Sequence, residues 1–213
     1  MYLRVRENPL TVLYGQSGLG KTSLLGAGLI PKLRVEGFRP VLLRLRYESQ
    51  DPPLLEQARQ ALARAVGGEA VGLPPGWGTV GSLWELLHHA ALRPQGLAVA
   101  PPVLVVNQFE EVFTLGQSPQ RRAETAALFE ELADMVEDRV PAALQARLRQ
   151  DRRAVRDYDR GPSPLRLVLA LREDFLSHLE AWSKPMPALM ERRRGRSAGR
   201  SCASTTGWSG MRF

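Results

Sequence analysis

Leu10-Thr11-Val12-Leu13-Tyr14-Gly15-Gln16-Ser17-Gly18-Leu19-Gly20-Lys21-Thr22 is the stretch that decides how the rest of the chain is read. Its first five residues form an apolar, β-rich run of the length of a buried strand, ending in glycine. Gly15 to Thr22 then fits the phosphate-loop pattern G-x-x-x-x-G-K-[ST] in full. Gly15, Gly18 and Gly20 admit turns closed to residues with side chains and let the backbone approach an anion. Successive N–H groups of the loop, through Gln16, Ser17 and Leu19 and on to Thr22 and Ser23, are expected to point inward. The helix that follows adds its positive end. Lys21 supplies a point charge for the β- and γ-phosphates, and the Thr22 hydroxyl is a magnesium ligand. A glycine-rich turn before an ordinary helix would use the same residues, but strand before and helix after favour the phosphate loop. The ligand expected is a nucleoside triphosphate with Mg²⁺.

Outward from the loop, strands and helices alternate. A helix is expected from Lys21 to about Leu33, with Pro31 near its end, and a strand between Arg39 and Tyr47. Asp51-Pro52-Pro53 opens a helix in which Leu54, Ala58, Leu62 and Ala65 recur at helical spacing. Residues 71–81 read as a loop. Ser82 with Glu85 makes a capping box in front of Leu83, Leu86, Leu87 and Ala90. Pro102 to Val106 is a continuous apolar run of the kind a parallel sheet buries on both faces. Pro119 to Asp159 reads as helix in two pieces divided by Pro141. Leu165 to Leu171 reads as a strand, and Arg172 to Trp182 as a helix. The expected fold is α/β, a mostly parallel sheet with helices on both faces.

Two further strand ends carry chemistry. Val106 is followed by Asn107-Gln108-Phe109-Glu110-Glu111. A buried strand in a P-loop enzyme delivers an acidic residue to magnesium at its C-terminal end. Here that position is the neutral Asn107, while Glu110 or Glu111 is placed to orient an attacking water. Leu171 is followed by Arg172 at the same rim of the sheet, where a guanidinium could sense the γ-phosphate. A solvated acidic turn and a solvated arginine are the plainer readings of these two segments.

Composition excludes several classes. With 44% hydrophobic and 24% charged residues among 213, the chain has the make-up of a globular domain. Cys202 is the single cysteine, which excludes an internal disulfide framework and a cysteine zinc site and suits a reducing cytoplasm. His88, His89 and His178 alone are a weak metal set. No apolar run approaches the ~20 residues of a membrane helix, and no secretory signal is visible at the N-terminus.

The net charge of +7 invites a nucleic-acid reading, but its distribution opposes one. Arg192, Arg193, Arg194, Arg196, Arg200 and Arg212 lie in a tail without an acidic residue. Setting those six aside leaves 23 of the 29 basic residues against 22 acidic ones, a net charge of +1. Basicity confined to a tail does not make a binding face. Residues 1–191 are therefore read as the folded domain and 192–213 as a disordered basic tail.

Taken together, the motifs resemble the NTPase domain of the novel STAND group, signal-transduction ATPases related to the NACHT and AAA+ branches. Gly15 to Pro31 is similar to that family's loop and first helix almost position by position. Asn107-Gln108-Phe109-Glu110-Glu111-Val112-Phe113 resembles its extended magnesium motif, in which the first residue is aspartate. Leu171-Arg172-Glu173-Asp174-Phe175-Leu176 resembles its strand-end arginine motif. The resemblance spans about Leu10 to Glu191. It implies a cytoplasmic Mg-ATP switch that hydrolyses slowly and works with a sensor or repeat scaffold region absent from this chain. A degenerate module that binds nucleotide without hydrolysis is the alternative.

Three departures from the family pattern bear on that expectation. Asn107 removes a negative charge beside the magnesium, so weakened metal binding and hydrolysis are expected, with Asn107 left to make hydrogen bonds around the ion. Only about nine residues precede the first strand, so the family's usual upstream segment, which contributes to nucleotide-base contacts, is expected to be missing. After Glu191 the resemblance stops, which suggests an out-of-frame reading or a truncated gene, a flexible basic tail being the plainer account.

Overall fold

A computed structural model describes residues 1–67, 81–89, 100–115, 118–151, 153–159, 161–189 and 211–212, the backbone alone at 66, 67, 211 and 212. Its centre is a parallel sheet of β1 (Leu10–Gly15), β2 (Arg39–Leu43), β3 (Pro102–Val106), β4 (Arg166–Arg172) and β5 (Met211–Arg212), in the spatial order β2-β3-β4-β1-β5. β4 thus stands between the strand that feeds the glycine-rich loop and the strand that leads into Asn107. The register sets Gly15 beside Arg172 and Val106 beside both Leu43 and Leu169. Three chemistry-bearing strand ends therefore meet at one rim.

Side-chain alternation along the strands fills two cores. Leu104 and Val106 of β3, Leu167, Leu169 and Leu171 of β4, and Leu10, Val12 and Tyr14 of β1 face one way. There they pack on α4 (Leu54–Gly67), α5 (Leu83–His88), α7 (Pro119–Val136), α8 (Ala142–Gln150) and α9 (Leu176–Glu180). Val103, Val105, Val168, Ala170 and Leu13 face the other way, onto α1 (Tyr2–Glu7) and the helix after the loop. Period 2 in a run apolar at every position requires cover on both faces, as expected for parallel strands.

Several sequence expectations are corrected in detail. The helix after the loop is α2 (Lys21–Ser23), then a π-helical stretch (Leu24–Leu29), then α3 (Ile30–Val35). Pro31 has no N–H to give the carbonyl four residues back and crowds it, which a widened π turn accommodates. The helix expected to run to Asp159 ends at Gln150, followed by a 3₁₀ turn (Ala154–Asp157) and a lone bridge between His89 and Tyr158. After β4 the chain makes a 3₁₀ turn (Glu173–Phe175) before the short α9. The initial helix α1 was not foreseen; it is short, and a single buried side chain, Val5, anchors it.

Capping chemistry holds where it was read. Ser82 Oγ accepts from Glu85 N at 3.2 Å, and Glu85 Oε2 accepts from Gly81 N at 3.0 Å. The loop expected at 71–81 lies outside the described residues up to 80, as does Ala90. So does most of the tail, except that Met211 and Arg212 pair in parallel with Leu13 and Tyr14. An open edge of β1 offers unpaired backbone groups to any extended segment, whatever its side chains. No helix among the described residues is long and apolar enough to cross a membrane.

Candidate functional site

The turn between β1 and α2 is shaped by two glycines. Gly18 (φ 82°) and Gly20 (φ 73°) occupy left-handed backbone that other residues rarely adopt. Gly15 does not: it continues β1 as its last residue, so its expected role in the turn is corrected. A left-handed Gly20 is also the N-cap of α2 and has no side chain to satisfy the first N–H groups of the helix. Those donors stay open at a positive helix end, which suits an anion.

Lys21 folds back over the loop. Its Nζ donates to the carbonyls of Gly15 at 2.8 Å and Gln16 at 2.7 Å, which stitches the loop to the end of β1. Thr22, one residue on, meets β3. Asn107 Nδ2 donates to Thr22 Oγ1 at 3.1 Å, and Thr22 Oγ1 lies 3.4 Å from Asn107 Oδ1. Asn107 is 7% exposed and its N–H is held by the Leu43 carbonyl at 2.9 Å.

Beyond Asn107 the chain turns sharply. Gln108 has φ 57°, left-handed backbone at a residue with a side chain. That turn lets Phe109 N–H reach the Ala170 carbonyl at 2.8 Å and drops the Phe109 ring, fully buried, into the core. Burying a phenylalanine is worth about 1.5–3 kcal/mol, enough to hold one strained residue. Glu110 and Glu111 then diverge. Glu110 borders the cavity, and its Oε2 is buried without a hydrogen-bond partner. Glu111 leads α6 (Glu111–Thr114) and is engaged by Arg44 at 3.0 Å.

These elements enclose a cavity of about 270 Å³ lined by Ser17, Gly18, Gly20, Lys21, Thr22, Asn107, Gln108, Glu110, Ala170 and Arg172. Eight of the residues singled out from the sequence meet there: Ser17, Gly18, Gly20, Lys21, Thr22, Asn107, Glu110 and Arg172. Gly15 and Gln16 contribute carbonyls to Lys21 instead, Leu19 is exposed at the loop tip, and Ser23 lies exposed on α2. Sequence reasoning gave no role to Gln108 or Ala170. The signal for Gln108 was its place between a buried strand and a buried aromatic, where the chain must reverse. Ala170 acts through its backbone and left no signal.

Hard oxygen donors at Thr22 and Asn107 suit magnesium that enters with a triphosphate, since Mg²⁺ is usually held by few protein groups plus phosphates. The buried, unpartnered Glu110 oxygen beside them is an unmet demand for a donor or cation, as such atoms cost stability when left alone. No cluster of three or more His, Cys, Asp or Glu side chains able to hold a metal occurs among the described residues. His88, in the weak histidine set, is buried in α5, stacked on Trp84, with Nδ1 2.9 Å from the Trp84 carbonyl. A larger cavity of about 650 Å³, between α5 and α8 and bordered by Trp84, Leu148 and Tyr158, carries none of the expected phosphate-binding residues.

Comparison with known families matches residues 1–196 to Novel STAND NTPase 1, a span that begins before the first strand and runs past Glu191. Comparison with curated proteins and with solved structures returns no significant match. The match covers most of the chain, and the parallel sheet carries the glycine-rich loop at its rim, so the chain belongs to the novel STAND NTPase 1 family of nucleotide-binding modules.

Proposed function

We propose that the chain binds ATP with Mg²⁺ in the cavity at the rim of β1, β3 and β4 and hydrolyses it slowly, as the nucleotide switch of a signalling protein. The observation that carries this reading is the convergence of Lys21, Thr22, Asn107, Glu110 and Arg172 on one cavity from three separate strand ends. Open N–H groups at Gly18 to Thr22 take the β- and γ-phosphates, and Lys21 exchanges a loop carbonyl for a phosphate oxygen. Magnesium would be held at the Thr22 hydroxyl, with the Asn107 amide oxygen accepting a hydrogen bond from an ion-bound water, and would neutralise charge on the phosphates. Glu110 orients a water toward the terminal phosphorus and accepts its proton, while Arg172 meets the charge that develops. The choice of ATP over GTP follows the family. A sensor or scaffold region outside this chain would read the switch.

A binding-only reading is favoured by one feature: Asn107 is neutral and paired with Thr22, so the position that should anchor magnesium is satisfied within the protein. Titration of a fluorescent ATP analogue with Mg²⁺ tests the shared part of both readings. Lys21→Ala should weaken binding by roughly 10- to 100-fold, the worth of a charge-assisted contact. Binding indifferent to Lys21 would sink both. Single-turnover hydrolysis then separates them.

A further inference from the structure

Arg172 is held from two sides by its own chain. Its Nη2 lies 2.5 Å from Asp174 Oδ2, and its guanidinium stands 5.7 Å from the centre of the Phe175 ring. Phe175 is itself fixed: its ring lies within 8° of parallel to Phe113 at 6.3 Å, and His178 sits 5.3 Å from Phe175 and 5.2 Å from Phe113. Phe113 belongs to α6, the helix that begins just after Glu110. The arginine, its carboxylate and its aromatic support thus form one unit braced against the Glu110 turn. The same guanidinium borders the phosphate cavity.

A planar guanidinium that serves Asp174 is drawn away from any anion in the cavity, because both demand the same N–H donors and the same charge. We infer that Asp174 is a specificity-determining residue that competes with a terminal phosphate for Arg172 and so sets how strongly a triphosphate is preferred over a diphosphate. The inference rests on the nucleotide reading above. A diphosphate lacks the group that would draw Arg172 across, so the Asp174 pair stays intact when it binds. A triphosphate must displace it. Both partners are substantially exposed, 44% and 65% at their side chains, so the competition is mild. Exposed pairs of this kind shift an equilibrium by up to about fivefold. Asp174 makes no other contact that would confuse its removal with unfolding among the hydrogen bonds and ion pairs described.

The test is equilibrium binding of fluorescent ATP and ADP analogues, with Mg²⁺, to the full chain. Variants are Asp174→Asn, Asp174→Glu, Arg172→Ala and the Asp174→Asn/Arg172→Ala double. Asp174→Asn should tighten the triphosphate about two- to fivefold and leave the diphosphate unchanged, and Asp174→Glu should restore the native ratio. In the Arg172→Ala background the same substitution should do nothing, the signature of a pairwise coupling. The competition is overturned if binding is Lys21-dependent and Asp174→Asn shifts both nucleotides alike, shifts neither, or acts without Arg172. Absence of Lys21-dependent binding in the native chain would overturn the nucleotide reading, and this inference with it.

Discussion

Asn107 and Thr22 hold each other across the gap between β3 and the phosphate loop, with the Asn107 amide donating to the Thr22 hydroxyl at 3.1 Å. The pair ties two segments 85 residues apart and occupies the place where P-loop enzymes set a magnesium-anchoring acid. Asn107→Asp removes the donor, so Thr22 must donate instead, and adds a negative charge beside the expected metal. Single-turnover hydrolysis should rise on the order of tenfold, as for ~1.4 kcal/mol of added transition-state stabilisation. An unchanged rate would mean that the missing charge does not limit turnover.

The two glutamates should separate cleanly. Glu110 faces the cavity and Glu111 faces Arg44. Glu110→Gln is expected to keep nucleotide binding while lowering hydrolysis about 100-fold or more, the usual worth of a positioned base. Glu111→Gln should leave hydrolysis within about twofold and cost under ~1 kcal/mol of stability, because Arg44 is largely exposed. The opposite pattern would transfer the water-positioning role to Glu111.

Glycine-to-alanine substitutions probe backbone alone at two positions. A Cβ on Gly20 or on Gly26 meets nothing within 4 Å, so neither change creates a clash. Gly20 sits at φ 73°, and Gly20→Ala should destabilise by about 1–2 kcal/mol. Gly26, in the π-helical stretch, has no positive φ, and Gly26→Ala should stabilise by about 0.5–1 kcal/mol. Thermal melts should move in opposite directions by roughly 2–4 °C per kcal/mol. A shared direction would contradict this backbone assignment.

A pH dependence follows from Glu131. Burial raises its carboxyl from 4.5 to about 6, more than the hydrogen bond it accepts from Leu83 N at 2.8 Å lowers it. The folded state therefore binds the proton more tightly than the unfolded one. That contribution to stability is full below about pH 4.5 and is lost as pH rises through about 6. Because the side chain keeps some contact with solvent, the effect is roughly 1 kcal/mol. Glu131→Gln can still accept from Leu83 and should be more stable than the native chain at pH 7. Denaturant melts at pH 4.5 and 7 should show that gain vanishing at the lower pH; an equal gain at both would refute it.

What could be read from residues alone were the features set by local pattern. The glycine-rich loop, the three apolar runs that stop at Tyr14, Val106 and Leu171, and the Ser82–Glu85 cap each depend on residues near one another in the chain. Turn chemistry, apolar runs and capping geometry are local properties, and neighbours specify them. Helix ends were less legible, because Pro31 alters helix type without ending the helix, and the segment after Gln150 is held by contact with α5.

Only the tertiary structure decided which glutamate faces the cavity, that Gly15 is a strand residue and not a turn residue, and that Arg172 is shared with Asp174. Each is a matter of direction. Glu110 and Glu111 are adjacent and chemically identical, and the left-handed turn at Gln108, made favourable by burial of Phe109 under β4, aims one inward and the other toward Arg44. Residue type determined what chemistry the rim could hold. Long-range packing determined where each group points, because orientation is set by contacts between segments the sequence keeps far apart.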